Sequence, residues 1–163
     1  MEIYILRHGI AVDRGTPGYK KDGDRPLTED GVQKIRQVAE AMLAMELKFD
    51  LILSSPYVRA AETAKIVAGE LDEEVTFTNF LLPEGNPLEL IREINDNKPQ
   101  SVLLVGHEPD LSRLMSLLIS GDSEAAIELK KGGLSKLTAE KLMFGQCATL
   151  HWLLTPKQLR SLR

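Results

Sequence analysis

Ile3-Tyr4-Ile5-Leu6-Arg7-His8-Gly9 is an apolar run rich in strand formers that stops abruptly at a cation, an imidazole and a glycine. The run predicts a short buried strand. A strand buried on both faces suits the centre of a parallel sheet. In open α/β sheets, ligands bind just beyond the carboxyl ends of the strands, so Arg7 and His8 are expected at the mouth of a site. Gly9 lets the backbone turn sharply or approach a ligand closely. Arg beside His is a poor metal pair, because a guanidinium repels a cation. It is a good pair for phosphate: Arg grips the oxygens in a fork, and His can attack phosphorus.

The same order of strand, reactive group and helix start occurs twice more. Asp50-Leu51-Ile52-Leu53-Ser54 reads as a second strand, followed by Ser55-Pro56-Tyr57-Val58-Arg59, with Pro56 near the first position of a helix. Ser101-Val102-Leu103-Leu104-Val105-Gly106 reads as another buried strand, followed directly by His107. If these strands are parallel, Arg7, His8, Arg59 and His107 converge at one end of the sheet. Helix N-termini there add N–H donors and a positive dipole end. Taken singly, each residue has an ordinary explanation: a core histidine, a strand-end ion pair, or Arg59 paired with Glu29 or Glu62. Together, three strand ends bearing cations or imidazoles point to an anion trap for phosphate.

The remaining elements fit around these. Thr28 is a plausible N-cap for a helix running to about Lys48, with Glu29 and Asp30 suiting its dipole. A second helix is expected to end near Gly69 or Leu71, a third strand covers Val75 to Phe77, and Asn79 to Pro87 is a loop. Helices are expected over Leu88–Ile94 and Asp110–Ile119. Two more strands are expected at Gly133–Leu137 and Ala148–Leu154, linked through Gly145, before a helical turn at Thr155–Leu162. Strands alternating with helices argue for an α/β fold, a mainly parallel central sheet flanked by helices, formed by one domain over residues 1–163. The polar stretch Asp13 to Asp24 reads as a long loop beside the site.

Composition sets limits. The chain is 43% hydrophobic and 27% charged, ordinary for a globular protein. A net charge of −4 argues against general nucleic-acid binding, though not against a local basic pocket. Cys147 is the sole cysteine, which excludes an intramolecular disulfide and makes a reducing, cytoplasmic setting the simplest expectation. It reads as a packing residue, and His151, inside a strand, as a structural or solvent-facing one. The chain opens directly on a strand, so no signal peptide is expected. No apolar run approaches ~18 residues, so no membrane span is expected.

Arg7-His8-Gly9, with Ser54-Ser55-Pro56, Arg59-Ala60, Thr63 and Val105-Gly106-His107, resembles the histidine phosphatase superfamily. The matches follow the family's order over most of the chain. The short length and Arg25-Pro26-Leu27-Thr28 resemble its small SixA-type branch, the phosphohistidine phosphatases of two-component signalling. The resemblance implies a minimal phosphoglycerate-mutase-like fold and a phosphatase acting on a phosphorylated histidine-phosphotransfer domain or histidine kinase, without a cofactor or metal. It implies His8 as nucleophile and Arg7, Arg25, Arg59 and His107 as phosphoryl ligands. Larger members use a carboxylic acid to protonate the leaving group; Glu84 is the candidate here, with a solvated loop carboxylate as its plain alternative.

The chemistry of these groups sets further expectations. His8 must be unprotonated at its attacking nitrogen, and flanking arginines favour that state. A backbone carbonyl, such as that of Gly9, would have to hold its other ring N–H. An alkoxide leaves badly without a general acid, whereas imidazole leaves easily once its distal nitrogen is protonated. A site lacking a dedicated acid would therefore suit phosphohistidine. Tyr19, Lys20 and Lys21 in the polar loop are expected to touch a phosphoprotein partner. Two other readings stay open: a small-molecule phosphomonoesterase of the same fold with Glu84 as acid, and a non-catalytic phosphoprotein-binding module.

Overall fold

Alternation along the first strand sorts the core into two layers. Ile3 and Ile5 point to one face of the sheet, Tyr4 and Leu6 to the other, and all four are buried. The computed structural model describes Met1–Arg163. Its elements are β1 (Glu2–Arg7), α1 (Glu29–Ala44), β2 (Leu51–Ser54), α2 (Val58–Leu71), β3 (Thr76–Phe77), α3 (Pro87–Asn97), β4 (Ser101–Gly106), α4 (Asp110–Ser120), β5 (Leu134–Thr138), β6 (Thr149–Leu154) and α5 (Pro156–Arg160). They build one sheet of order β3-β2-β4-β1-β5-β6. The Tyr4 and Leu6 face packs on α1, α2 and α5, through Ile35, Val38, Ala64, Val67 and Leu159. The Ile3 and Ile5 face packs on α3 and α4, through Leu90, Ile94, Leu111 and Met115. No helix is long and apolar enough to cross a membrane.

Four strands are parallel, as the sheet reading requires: β1 with β4, and β2 with both β4 and β3. The last two turn back, β5 antiparallel to β1 and β6 antiparallel to β5. Gly132 makes the reversal at φ 77°, a conformation that favours glycine. Its N–H reaches the carbonyls of Arg7 (3.1 Å) and His8 (3.2 Å), which pins the end of β1. The chain visits β2 and β3 before returning to place β4 between β2 and β1. Register then sets Arg7 level with Gly106 and Ser54 level with Val105. The three reactive strand ends therefore share one edge.

Several boundaries differ from the sequence expectation for local reasons. α1 keeps its Thr28 cap, whose side chain accepts from Gly31 N at 2.9 Å, but it stops at Ala44. Glu46 turns left-handed (φ 57°), and Leu47 folds back through its N–H onto Met42 O. α2 ends at Leu71 on a left-handed Asp72 and passes through Gly69. α3 is longer than Leu88–Ile94, because Asn86 caps it ahead of Pro87 and it continues to a left-handed Lys98. Pro56 lies ahead of α2, which begins at Val58. Val75 lies outside the short edge strand β3. The turn between β1 and α1 tolerates no bulk: a Cβ on Gly31 would stand 2.1 Å from the Ile10 carbonyl oxygen.

Candidate active site

His8 leaves β1 as a buried residue whose N–H bonds the Gly106 carbonyl of β4. Its Nδ1 lies 2.7 Å from the carbonyl oxygen of Gly9, so Nδ1 carries the proton and donates it. The lone pair is thereby left on Nε2, where Arg59 Nε approaches to 3.4 Å. Gly9 is itself fixed, donating its N–H to Thr63 Oγ1 at 3.0 Å, while the Thr63 hydroxyl donates to the Arg59 carbonyl. One threonine thus ties the turn after β1 to the first turns of α2.

Burial lowers the His8 pKa to about 3. The Gly9 carbonyl works in the opposite direction, and the charges of His107, Arg59 and Arg7 push the same way as burial. His107 is also lowered to about 3, by burial and then by Arg59, with Asp22 opposing. Both rings are neutral at pH 7, and their centroids stand 5.2 Å apart. His107 Nε2 meets Ser55 Oγ at 2.8 Å, and Ser55 Oγ also accepts from Tyr57 N. The edge of Tyr57 packs against the His107 ring.

Two buried nitrogens at the strand ends, Arg7 Nε, a donor, and His107 Nδ1, have no hydrogen-bond partner. Buried polar groups are nearly always paired, so these two mark where a ligand's polar atoms are expected, an acceptor at Arg7 Nε. Arg7 is anchored by donating from Nη1 to the Leu129 carbonyl at 3.1 Å. Arg59, 3% exposed, donates from Nη1 to the Asp22 carbonyl and from Nη2 to the Asp22 carboxylate at 3.1 Å. Arg25 meets the same carboxylate through Nη2 (2.8 Å) and Nε (2.9 Å), and Arg14 Nε stands 3.3 Å from it. Burial would raise the Asp22 carboxyl, but Arg25 and Arg59 outweigh it and hold it below its usual range.

The structure thus brings Arg7, His8, Arg25, Arg59 and His107 together. It does not bring Glu84 into that network. Glu84 is exposed at φ 63°, and its N–H bonds Asp110. Cys147 is half-buried just before β6, and His151 bonds Thr138 across β5 and β6; both lie outside the site. Sequence reasoning missed Asp22 as the clamp on Arg59, naming Glu29 and Glu62 instead; Glu62 caps the Leu27 N–H. It also missed the Leu129 carbonyl under Arg7. The acid in Asp22-Gly-Asp-Arg25 was a signal for the first of these, and nothing local signals the second.

A buried neutral imidazole with an unprotonated Nε2, beside guanidiniums and an unpartnered Arg7 Nε at the C-terminal ends of the parallel strands, suits an α/β protein that handles phosphoryl groups, with His8 as candidate nucleophile. The chain belongs to the histidine phosphatase superfamily, whose branch 1 model matches residues 3–82. It is 37% identical over 138 residues to an uncharacterized protein of Picosynechococcus, covering 82% of each chain. It is 24% identical over 168 residues to the phosphohistidine phosphatase SixA of Escherichia coli, covering 98% of this chain and 97% of that one. A structure of the protein histidine phosphatase SixA complexed with tungstate superposes with a TM-score of 0.83 at 24% identity, over 98% of this chain and 99% of that one, and so shares the fold.

Neutral burial of the histidines predicts a pH effect on stability. Each ring titrates near 6.5 when unfolded and near 3 when folded, so the unfolded chain binds more protons between those values. The stabilising contribution is complete above pH 6.5 and is lost as pH falls towards 3, by up to about 1.4 kcal/mol per pH unit for each histidine. Urea unfolding from pH 7 to pH 4.5 should therefore show a shallower pH slope for His8→Asn than for the wild type. Parallel slopes would contradict a neutral, buried His8.

Proposed function

We propose that the protein is a metal-independent phosphohistidine phosphatase that removes phosphate from a histidine-phosphotransfer domain through a phospho-His8 intermediate. The observation that carries this reading is the Gly9 carbonyl on His8 Nδ1, which leaves Nε2 unprotonated beside Arg59. In the first step the Nε2 lone pair forms a bond to phosphorus as the substrate's N–P bond breaks. The substrate imidazole, protonated on its distal nitrogen, departs neutral. Phospho-His8 keeps its Nδ1 proton, so its ring is cationic and the Gly9 carbonyl stabilises it. Water then attacks phosphorus, the Nε2–P bond breaks, and His8 returns as the same neutral tautomer. Arg7, Arg59 and His107 stabilise the charge spread over the phosphoryl oxygens. Guanidiniums fill the role a divalent cation plays elsewhere, and they would repel one.

The leaving group favours phosphohistidine over an alkyl ester. No step above needs a general acid, and Glu84 stands exposed outside the histidine network. The test is initial rates on phosphorylated histidine-phosphotransfer domains, on free phosphohistidine and on a panel of metabolite phosphomonoesters, with Glu84→Gln beside the wild type. Rapid loss from phosphohistidine, unchanged within about twofold by Glu84→Gln, is expected. Fast turnover of an ester that Glu84→Gln abolishes would replace this reading with a phosphomonoesterase.

A further inference from the structure

The side of the site away from Asp22 opens into a groove. A small cavity beside His107 is walled by Leu81, Leu82, Pro87, Asp110 and Leu114. Gly85, Pro87, Asp110 and Leu114 also wall a second cavity of about 420 Å³, which runs outward along α4 to Leu117, Glu124 and Phe144. The two cavities are therefore neighbours, the inner one touching His107 and the outer one lying along α4. Large apolar side chains line them unburied, Phe80 (36% exposed) in the inner cavity and Phe144 (58%) in the outer; Leu88 (37%) and Met143 (55%), each next in sequence to a lining residue, are exposed as well. Aromatic residues and methionine exposed together are the composition of protein interfaces rather than of bare surface.

Acids outnumber cations along the outer cavity: Asp110, Asp122 and Glu124 line it against Arg113 alone. The carboxylates of Asp122 and Glu124 have no cationic partner, and Arg113 reaches only Asp110, at 4.0 Å. An apolar floor with unpaired acids on its rim fits a helix that is apolar on one face and basic beside it.

We propose that this groove docks an amphipathic, lysine- or arginine-bearing helix of the phosphohistidine protein, next to the phosphorylated residue. The inference rests on the phosphohistidine reading above and adds where the partner binds. The inner cavity touches His107, whose ring centre stands 5.2 Å from that of His8, so an occupant of the groove lies next to the reacting pair. It lies on the α3 and α4 side of the sheet, opposite the Tyr19–Lys21 loop, so the two surfaces can be tested separately.

Two variants of exposed residues test it: Phe144→Ala and the double variant Asp122→Lys/Glu124→Lys. Substrates are the phosphotransfer domain the wild type turns over best, and free phosphohistidine. The expected result is a KM for the domain raised about tenfold or more with kcat unchanged, while kcat/KM for free phosphohistidine stays within about twofold. The wild-type KM should rise with salt, and that of the double-lysine variant should not. Unchanged KM for the domain overturns the inference, as does an equal loss on both substrates. So does a wild-type dimer that Phe144→Ala splits without changing KM, since a second copy then owns the groove. Failure of the phosphohistidine reading looks different: the wild type itself would turn over neither domain nor free phosphohistidine.

Discussion

His8→Asn is expected to lower turnover of phosphohistidine by at least about 10³-fold while leaving oxyanion binding nearly intact. Asparagine is the informative replacement. Its amide nitrogen can donate to the Gly9 carbonyl as Nδ1 does, at the 2.7 Å position, so the turn after β1 keeps its bond. It offers no basic lone pair at the Nε2 position, where the proposed intermediate would form. Removing the nucleophile of a covalent mechanism abolishes the route rather than slowing it. Arg7, Arg59 and His107 remain, so inorganic phosphate should bind within about tenfold of the wild type. The second readout is direct. Quenched wild type should carry an acid-labile, alkali-stable phosphoryl group on His8, and the variant should carry none. A variant retaining a tenth of wild-type turnover would refute His8 as nucleophile. Wild type and variant that bind a phosphoprotein alike and turn nothing over would point to the binding module instead.

What the sequence could show and what it could not divide along a physical line. Strand ends are local features. Ile3 to Gly9, Asp50 to Arg59 and Ser101 to His107 each carry their own hydrophobic run and breaker, and parallel pairing does the rest. Arg7, His8, Arg59 and His107 were legible for that reason. So was the Gly9 carbonyl, one residue from the ring it holds. Contacts that fix charge are non-local. Asp22 clamps Arg59 from 37 residues away and Leu129 holds Arg7 from 122 away. No periodicity encodes either distance. The direction of β5 was illegible too, because its reversal depends on Gly132 meeting the end of β1. Lengths of α1 and α3 were misjudged where left-handed residues, Glu46 and Lys98, act as stops without being glycine.

Arg59→Lys keeps the charge and is nonetheless expected to lower kcat/KM for phosphohistidine by about 10²-fold or more. The guanidinium does several jobs at fixed angles. Nε faces His8 Nε2 at 3.4 Å, Nη1 holds the Asp22 carbonyl at 2.9 Å, and Nη2 holds its carboxylate at 3.1 Å. Its Cζ also lies over the Tyr57 ring, 5.3 Å from the ring centre. A lysine ammonium is a compact, strongly hydrated point charge without the fork, and it cannot reach the carboxylate and the attacking nitrogen together. Held by Asp22, it is withdrawn from phosphorus; pointed at phosphorus, it leaves Asp22 to Arg14 and Arg25. Either way the donor beside the forming bond is lost or misplaced. If charge alone stabilised the transferring phosphoryl, lysine would rescue most of what alanine loses. The fork predicts that Arg59→Lys and Arg59→Ala fall within about tenfold of each other in kcat/KM. Single-turnover rates separate the causes. A slower formation of phospho-His8 with phosphate affinity little changed would place Arg59 in the transition state, whereas an equal loss in both would make it a binding residue.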